Sequence, residues 1–290
     1  MLPKRHAFTP GRRKLRTVHR LREGSRVCAA ETLCFFSSLV SQINQSIAPK
    51  RLFRPEACEK AGPMKTIAFS RLIGSEAAEI ARRVSQALGY TLVNKSVLEG
   101  IFRQYGLTKF GELYTSSPNL WDLANAKNLA IVSMLNETME ALAHRGHMLI
   151  VGRGGYASLS KYGDVLNVRL QAPFAVRVER VMSRRNLTNR LSTEKEVKAD
   201  DAARQKFVSR FYNHGWDDAS DFDLVIDTNT MSVEMAVDWI MEATQALERK
   251  EFGADAVTAQ RVKVDPILLD AIDIALARQL PTVNQDSSKN

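Results

Sequence analysis

The chain of 290 residues predicts an α/β domain: a parallel sheet of five strands with helices on both faces, spanning about residues 64–248. Three observations lead there. Five short apolar runs alternate with segments of helical apolar spacing, which is the order of a parallel sheet covered on both sides. The formal charge of +9 is carried entirely by residues 1–63, which hold 13 Lys/Arg against 4 Asp/Glu; the rest of the chain has 28 of each and is neutral. The three cysteines, Cys28, Cys34 and Cys58, also lie in that leader, without CxxC spacing, so the domain has no thiol nucleophile and no cysteine-ligated metal.

The elements follow in order. Thr66-Ile-Ala-Phe is the first strand. Ala77, Ile80, Ala81, Val84 and Leu88 then recur at helical spacing, and Gly89 stops the helix. Thr91-Leu-Val is the second strand, followed by a helix from Ser96 to about Gln104. Residues 109–120 are turn-rich, and a long helix runs from about Trp121 to His144. Met148-Leu-Ile-Val, between Gly146 and Gly152, is the third strand, and Val165 to Leu170 the fourth. Pro173 opens a helix reaching Arg185. Another helix covers about Thr193 to Tyr212. Leu224-Val-Ile is the fifth strand, and Ser232 caps a helix to about Leu247.

Two segments flank the domain. The leader, residues 1–63, is Arg-rich and acid-poor. It reads as a disordered basic arm for nucleic acid or acidic lipid, as a targeting peptide, or as a gene-model extension before a true start at Met64, the reading favoured here. Residues 249–290 place Leu268, Ile272, Ala275 and Leu276 at amphipathic spacing, a helix expected to pack on the domain, before Pro281 and a polar end expected to be disordered. No run approaches the roughly 20 apolar residues of a membrane span. A cytoplasmic location is expected, and nucleic acid is not expected as a partner except through the leader.

In a sheet of this kind ligands bind beyond the carboxyl ends of the strands. The first strand runs into Ser70-Arg-Leu-Ile-Gly-Ser-Glu-Ala-Ala, a Gly-containing turn into a helix, which is either a phosphate site with backbone N–H groups facing the anion or an ordinary strand-to-helix connection. The third runs into Val151-Gly-Arg-Gly-Gly, where Gly152 and Gly154 let the backbone approach a ligand that Arg153 grips. After the fourth, Arg177, Arg180 and Arg184 share a helical face, and Arg185 and Arg190 carry the basic run into a polar turn. Such a cluster closes over polyphosphate, or is a solvated face paired with Glu179, Glu194 and Glu196. Asp201 and Arg204 lie one turn apart, suited to ribose and phosphate or to each other. His144 and His147 read as surface residues, and Trp216 and Trp239 as packing.

Taken together, IAFSRLIGS, LGYTLVNKSVLEGI, LIVGRGGY, APFAVRVERVMSRR, KADDAARQKF and FDLVIDTNTMSVEMAV resemble the cytidylate-kinase-like family of P-loop kinases, over Met64 to about Leu247. The resemblance implies a P-loop kinase sheet with a small Arg-rich lid, and ATP- and Mg²⁺-dependent phosphorylation of a nucleoside monophosphate, CMP or dCMP. It puts Ser70, Arg71, Gly74 and Ser75 at the ATP phosphate loop, and Arg153 with Gly152 and Gly154 at the acceptor nucleotide. Asp201 and Arg204 match a D-x-x-R element that engages the monophosphate, and Arg180, Arg184 and Arg185 fall at the lid. No metal ligand is assigned.

One stretch departs from the pattern. The string G-x-x-x-x-G-K-S/T is absent, and Glu76-Ala77-Ala78 stands where the family commonly keeps glycines and then a cation. A Glu there suits the helix N-terminus but repels phosphate; like charges at about 4 Å cost about 4 kcal/mol at intermediate dielectric. Two functions stay open: an active nucleotide kinase, or a non-catalytic nucleotide-sensing or interaction module on the same fold.

Overall fold

The computed structural model describes residues 65–107, 126–152, 154–213, 215 and 218–278. Five strands form one sheet: β1 (Thr66–Arg71), β2 (Thr91–Val93), β3 (Met148–Val151), β4 (Val165–Gln171) and β5 (Leu224–Asp227). Their order is β2-β3-β1-β4-β5. Every pairing is parallel, with Ala68 facing Ile150 on one side and Asn167 on the other. The chain leaves β1 for β2 and β3 on one flank, then returns past it to β4 and β5. The carboxyl ends of β1, β3 and β4 therefore surround the crevice where such sheets bind ligands.

The helices among the described residues are α1 (Ala77–Leu88), α2 (Lys95–Gln104), α3 (Ala126–Arg145), α4 (Gly155–Leu159), α5 (Phe174–Arg185), α6 (Arg190–Phe211), α7 (Val233–Glu248) and α8 (Pro266–Ala277). Strand alternation splits the core in two. Ile67, Phe69, Leu166 and Val168 meet Ile80 and Val84 of α1 and Ile240 of α7 on one face. Ala68 and Ile150 meet Phe102, Leu142, Tyr156 and Phe207 on the other. No helix among the described residues is long and apolar enough to cross a membrane.

Local chemistry sets the ends. Gly89, at φ 68°, closes α1. The Asn94 and Ser232 side chains cap α2 and α7 by accepting first-turn N–H bonds. The Asn189 side chain caps Ser192, so α6 begins at Arg190, before the expected Thr193, and Arg190 belongs to a helix, not to a turn. The five-residue α4 was absent from the sequence reading; it is too short for apolar periodicity to register. The turn-rich stretch 109–120 and the expected start of the long helix, Trp121, fall outside the described residues, as do residues 1–64.

The C-terminal segment joins the same core. Leu268, Ile272 and Ala275 of α8 pack in the cluster that holds Phe102 and Leu142. The Asp164 carboxylate accepts N–H bonds from Ala259 and Gln260, at 2.6 and 3.2 Å, fastening the approach to that helix. Trp239, expected as a packing residue, is instead 45% exposed on α7.

Candidate functional site

A cleft of about 300 Å³ opens at the carboxyl end of β1, between the β1–α1 turn and the facing sides of α5 and α6. Its lining includes Arg71, Gly74, Ser75, Glu76, Arg184, Arg185 and Arg204. The turn is built for close approach. Gly74 has φ 79°, and a Cβ there would sit 2.6 Å from the Arg177 carbonyl oxygen, so only glycine fits. The Ser75 hydroxyl donates to the Leu72 carbonyl at 2.7 Å and locks the turn. The N–H groups of Ala77 and Ala78 open α1 with no acceptor among the described residues, as first-turn amides do. Ser70 lies apart from the cleft, buried on the sheet, where its hydroxyl accepts from Arg169 at 3.5 Å.

The arginines of α5 share a face but not a fate. Arg177 is 5% exposed. Its guanidinium donates to Ala172 O at 3.0 Å, to Ile73 O at 3.3 Å, and to both Asp201 oxygens at 3.2 and 2.8 Å. It is a brace between the β1–α1 turn and α6, and its guanidinium is already engaged there. Arg180 donates to the Thr228 hydroxyl and carbonyl at 2.9 and 2.8 Å and to Gly74 O at 3.3 Å. Its Nε also lies 3.5 Å from Glu76. Arg184 donates to the second Glu76 oxygen at 2.7 Å. Arg185 pairs with Glu196, and Arg190 with Glu179 and Glu194, the solvated pairing that the charge run allowed.

Asp201 and Arg204 do not pair with each other. Asp201 faces Arg177, while Arg204 takes both oxygens of Asp200, one turn earlier, at 2.7 and 3.1 Å. The reason is geometric: bidentate Arg–carboxylate pairing needs a coplanar approach, which the i, i+4 offset gives to Arg204 and tertiary packing gives to Arg177. Burial pushes the Asp201 carboxyl above the usual range, outweighing the opposite pull of Arg177.

Gly152 follows β3 and Gly154 opens α4 at φ 77°. A Cβ on Gly154 would meet the Tyr212 ring at 2.4 Å, and the Tyr212 hydroxyl donates to Asn136 at 2.7 Å. Arg153 and Trp216 lie outside the described residues. Sequence reasoning missed Arg169, which is 3% exposed and sits over the Phe222 ring with Gln171 and Ser70 beside it. A signal was available: in Val165–Gln171 the alternate residues Asn167, Arg169 and Gln171 are all polar, a polar face on an otherwise apolar strand. The Asn167 side-chain oxygen is buried without a hydrogen-bond partner among the described residues.

No group of three or more His, Cys, Asp or Glu suited to a metal occurs among the described residues. His144 lies 3.3 Å from the Ala259 carbonyl oxygen, and His147 meets the Tyr90 ring edge-on at 5.3 Å.

Known proteins are similar to this chain in sequence. Over 159 residues the chain is 31% identical to a uronate isomerase of Corynebacterium glutamicum, covering 47% of this chain and 30% of that protein. Over 110 residues it is 31% identical to a cytidylate kinase of Methanocaldococcus jannaschii, covering 37% of this chain and 61% of the relative. The match thus spans less than two thirds of either relative's length. An uncharacterized protein from Eubacterium ventriosum superposes with a TM-score of 0.46 at 18% identity, over 63% of this chain and 99% of that one, too low to add to what the strand order already shows. The defining pattern of the cytidylate kinase-like family matches residues 66–230, more than half of the chain. With its five parallel strands and its Gly-Ser turn facing an arginine-bearing helix, this chain belongs to the cytidylate kinase-like family.

Proposed function

We infer that the chain is a nucleotide kinase that transfers the terminal phosphoryl group of ATP to a nucleoside monophosphate, with CMP or dCMP as the preferred acceptor. The observation that carries this is the cleft itself: the β1–α1 turn and the arginines of α5 and α6 converge on one space beyond β1. Phosphoryl transfer asks little covalent chemistry of a protein and depends on positioning and charge neutralisation. The open amides of Ala77 and Ala78, with Gly74 and Ser75, would cradle the donor phosphates. Arg184, with its side chain 53% exposed, would swing onto the transferring group. Arg180, held by Thr228 and Gly74, would stay fixed beside it. Mg²⁺ would arrive with the triphosphate, on phosphate oxygens and water, which calls for no dedicated protein cage. Arg153, Gly152 and Gly154 would hold the monophosphate, together with Arg204, which lines the same cleft, and Asp201, which acts through Arg177.

A coupled assay with ATP, Mg²⁺ and each nucleoside monophosphate tests this. Turnover highest with CMP or dCMP is expected; none above background with CMP, dCMP, UMP or AMP removes the reading. A second reading, a non-catalytic nucleotide-sensing or interaction module, is favoured by one observation. Arg180 and Arg184 already hold a carboxylate, that of Glu76. Calorimetry separates the two readings, since the module predicts CMP binding without ATP binding.

A further inference from the structure

Glu76 occupies an unusual backbone position. Its φ of 56° and ψ of 9° are left-handed, a region that strains a residue with a Cβ and that glycine enters freely. The side chain does not recover this as a helix cap, because it accepts no hydrogen bond from the first turn of α1. It turns instead across the mouth of the cleft. One oxygen accepts from Arg184 at 2.7 Å, and the other lies 3.5 Å from Nε of Arg180. Arg180 cannot follow it away, since Thr228 and Gly74 hold both of its terminal nitrogens. Arg184 can, because among the described residues its side chain is held by Glu76 alone. A carboxylate thus sits between two guanidinium groups beside open helix amides, the surroundings that a phosphate group would seek.

We propose that Glu76 is a tethered anion that fills the triphosphate subsite of this cleft, so that a phosphate donor binds only by displacing it and taking over Arg184. This deepens the kinase reading and rests on it for the identity of the cleft. It makes the loop and the lid one device. With Glu76 in place the turn and α5 are bridged and one of the two guanidinium charges is offset; with the carboxylate expelled, Arg180 and Arg184 face the incoming phosphates. Glu76 therefore sets donor affinity, and the change at the family's usual glycine position becomes a built-in competitor.

The test is triphosphate binding to the full chain, by calorimetry with ATP and separately with inorganic tripolyphosphate, for wild type, Glu76→Gln and Glu76→Gly. The Gln variant removes the charge and keeps the shape; the Gly variant also suits the left-handed backbone and guards against misfolding. Both variants are expected to bind both ligands roughly tenfold or more tightly than wild type, as relief of like-charge juxtaposition requires. A gain for ATP but not for tripolyphosphate, unchanged affinity in both variants, or no binding by any form overturns the proposal. Its failure is distinct from that of the kinase reading. Tighter binding by the variants with no phosphoryl transfer keeps the tethered anion and removes the kinase. Unchanged binding with measurable turnover does the reverse.

Discussion

The root and the tip of α5 carry the same residue type on the same helical face and put it to opposite uses. At the root, Arg177 is buried and makes four hydrogen bonds that tie Ile73 of the β1–α1 turn, Ala172 and Asp201 of α6 together. At the tip, Arg184 and Arg185 have side chains about half exposed, each paired with one carboxylate. A buried, fully engaged guanidinium is expensive to disrupt, because its partner is left as an unpaired buried charge. An exposed pair contributes little, because water and salt replace it. The difference teaches that a run of arginines in one helix can supply both the rigid frame of a site and its movable charge.

The sharpest way to break this comparison is at Arg177. Arg177→Met should destabilise the fold by about 3 kcal/mol, read as a lower denaturation midpoint, since it leaves the half-buried Asp201 without its guanidinium partner. Next comes Gly74→Ala, which meets both the left-handed backbone and the Arg177 carbonyl, and should cost about 2 kcal/mol or more by the same measurement. At the tip, Arg184→Ala and Arg185→Ala should each stay within about 1 kcal/mol. If tip and root variants lose equal stability, the distinction between frame and movable charge is wrong.

The smallest effect belongs to another exposed pairing. Glu79 on α1 accepts from Arg82 and Arg83, which hold its carboxyl down from 4.5 to about 2. A depressed carboxylate contributes stability that is present above its unfolded value and is lost as pH falls through its folded one. The gap between wild type and Glu79→Gln should therefore be small at neutral pH, and should close between about 4.5 and 2. It should also shrink with added salt, since both partners are solvated. A gap that widens on acidification would show that the pair is not what stabilises the ionised form.

Much of this was legible in the chain. The apolar runs at Thr66, Thr91, Met148, Val165 and Leu224 all became strands, since short apolar runs alternating with helical patterns suit a sheet covered by helices. Helix stops and caps at Gly89 and Ser232 were equally readable, because they depend on neighbours within a turn or two. The departure at Glu76-Ala77-Ala78 was visible as well, together with the repulsion it implies for phosphate. What was not visible was the partner of that charge. Arg184 is 108 residues away, and no local pattern joins them. The same holds for Asp201, whose spacing pointed to Arg204 and whose carboxylate went to Arg177.

The sequence by itself determined the layers, the order of helices and strands, and the family, because these follow from periodicity and from motifs a few residues long. Only the tertiary structure decided which carboxylate each arginine meets. Guanidinium groups are long, and several acids compete for each within reach, so the winner is set by the burial and approach geometry that the packed sheet imposes. That choice turned Arg177 into a brace and placed the Glu76 carboxylate between Arg180 and Arg184.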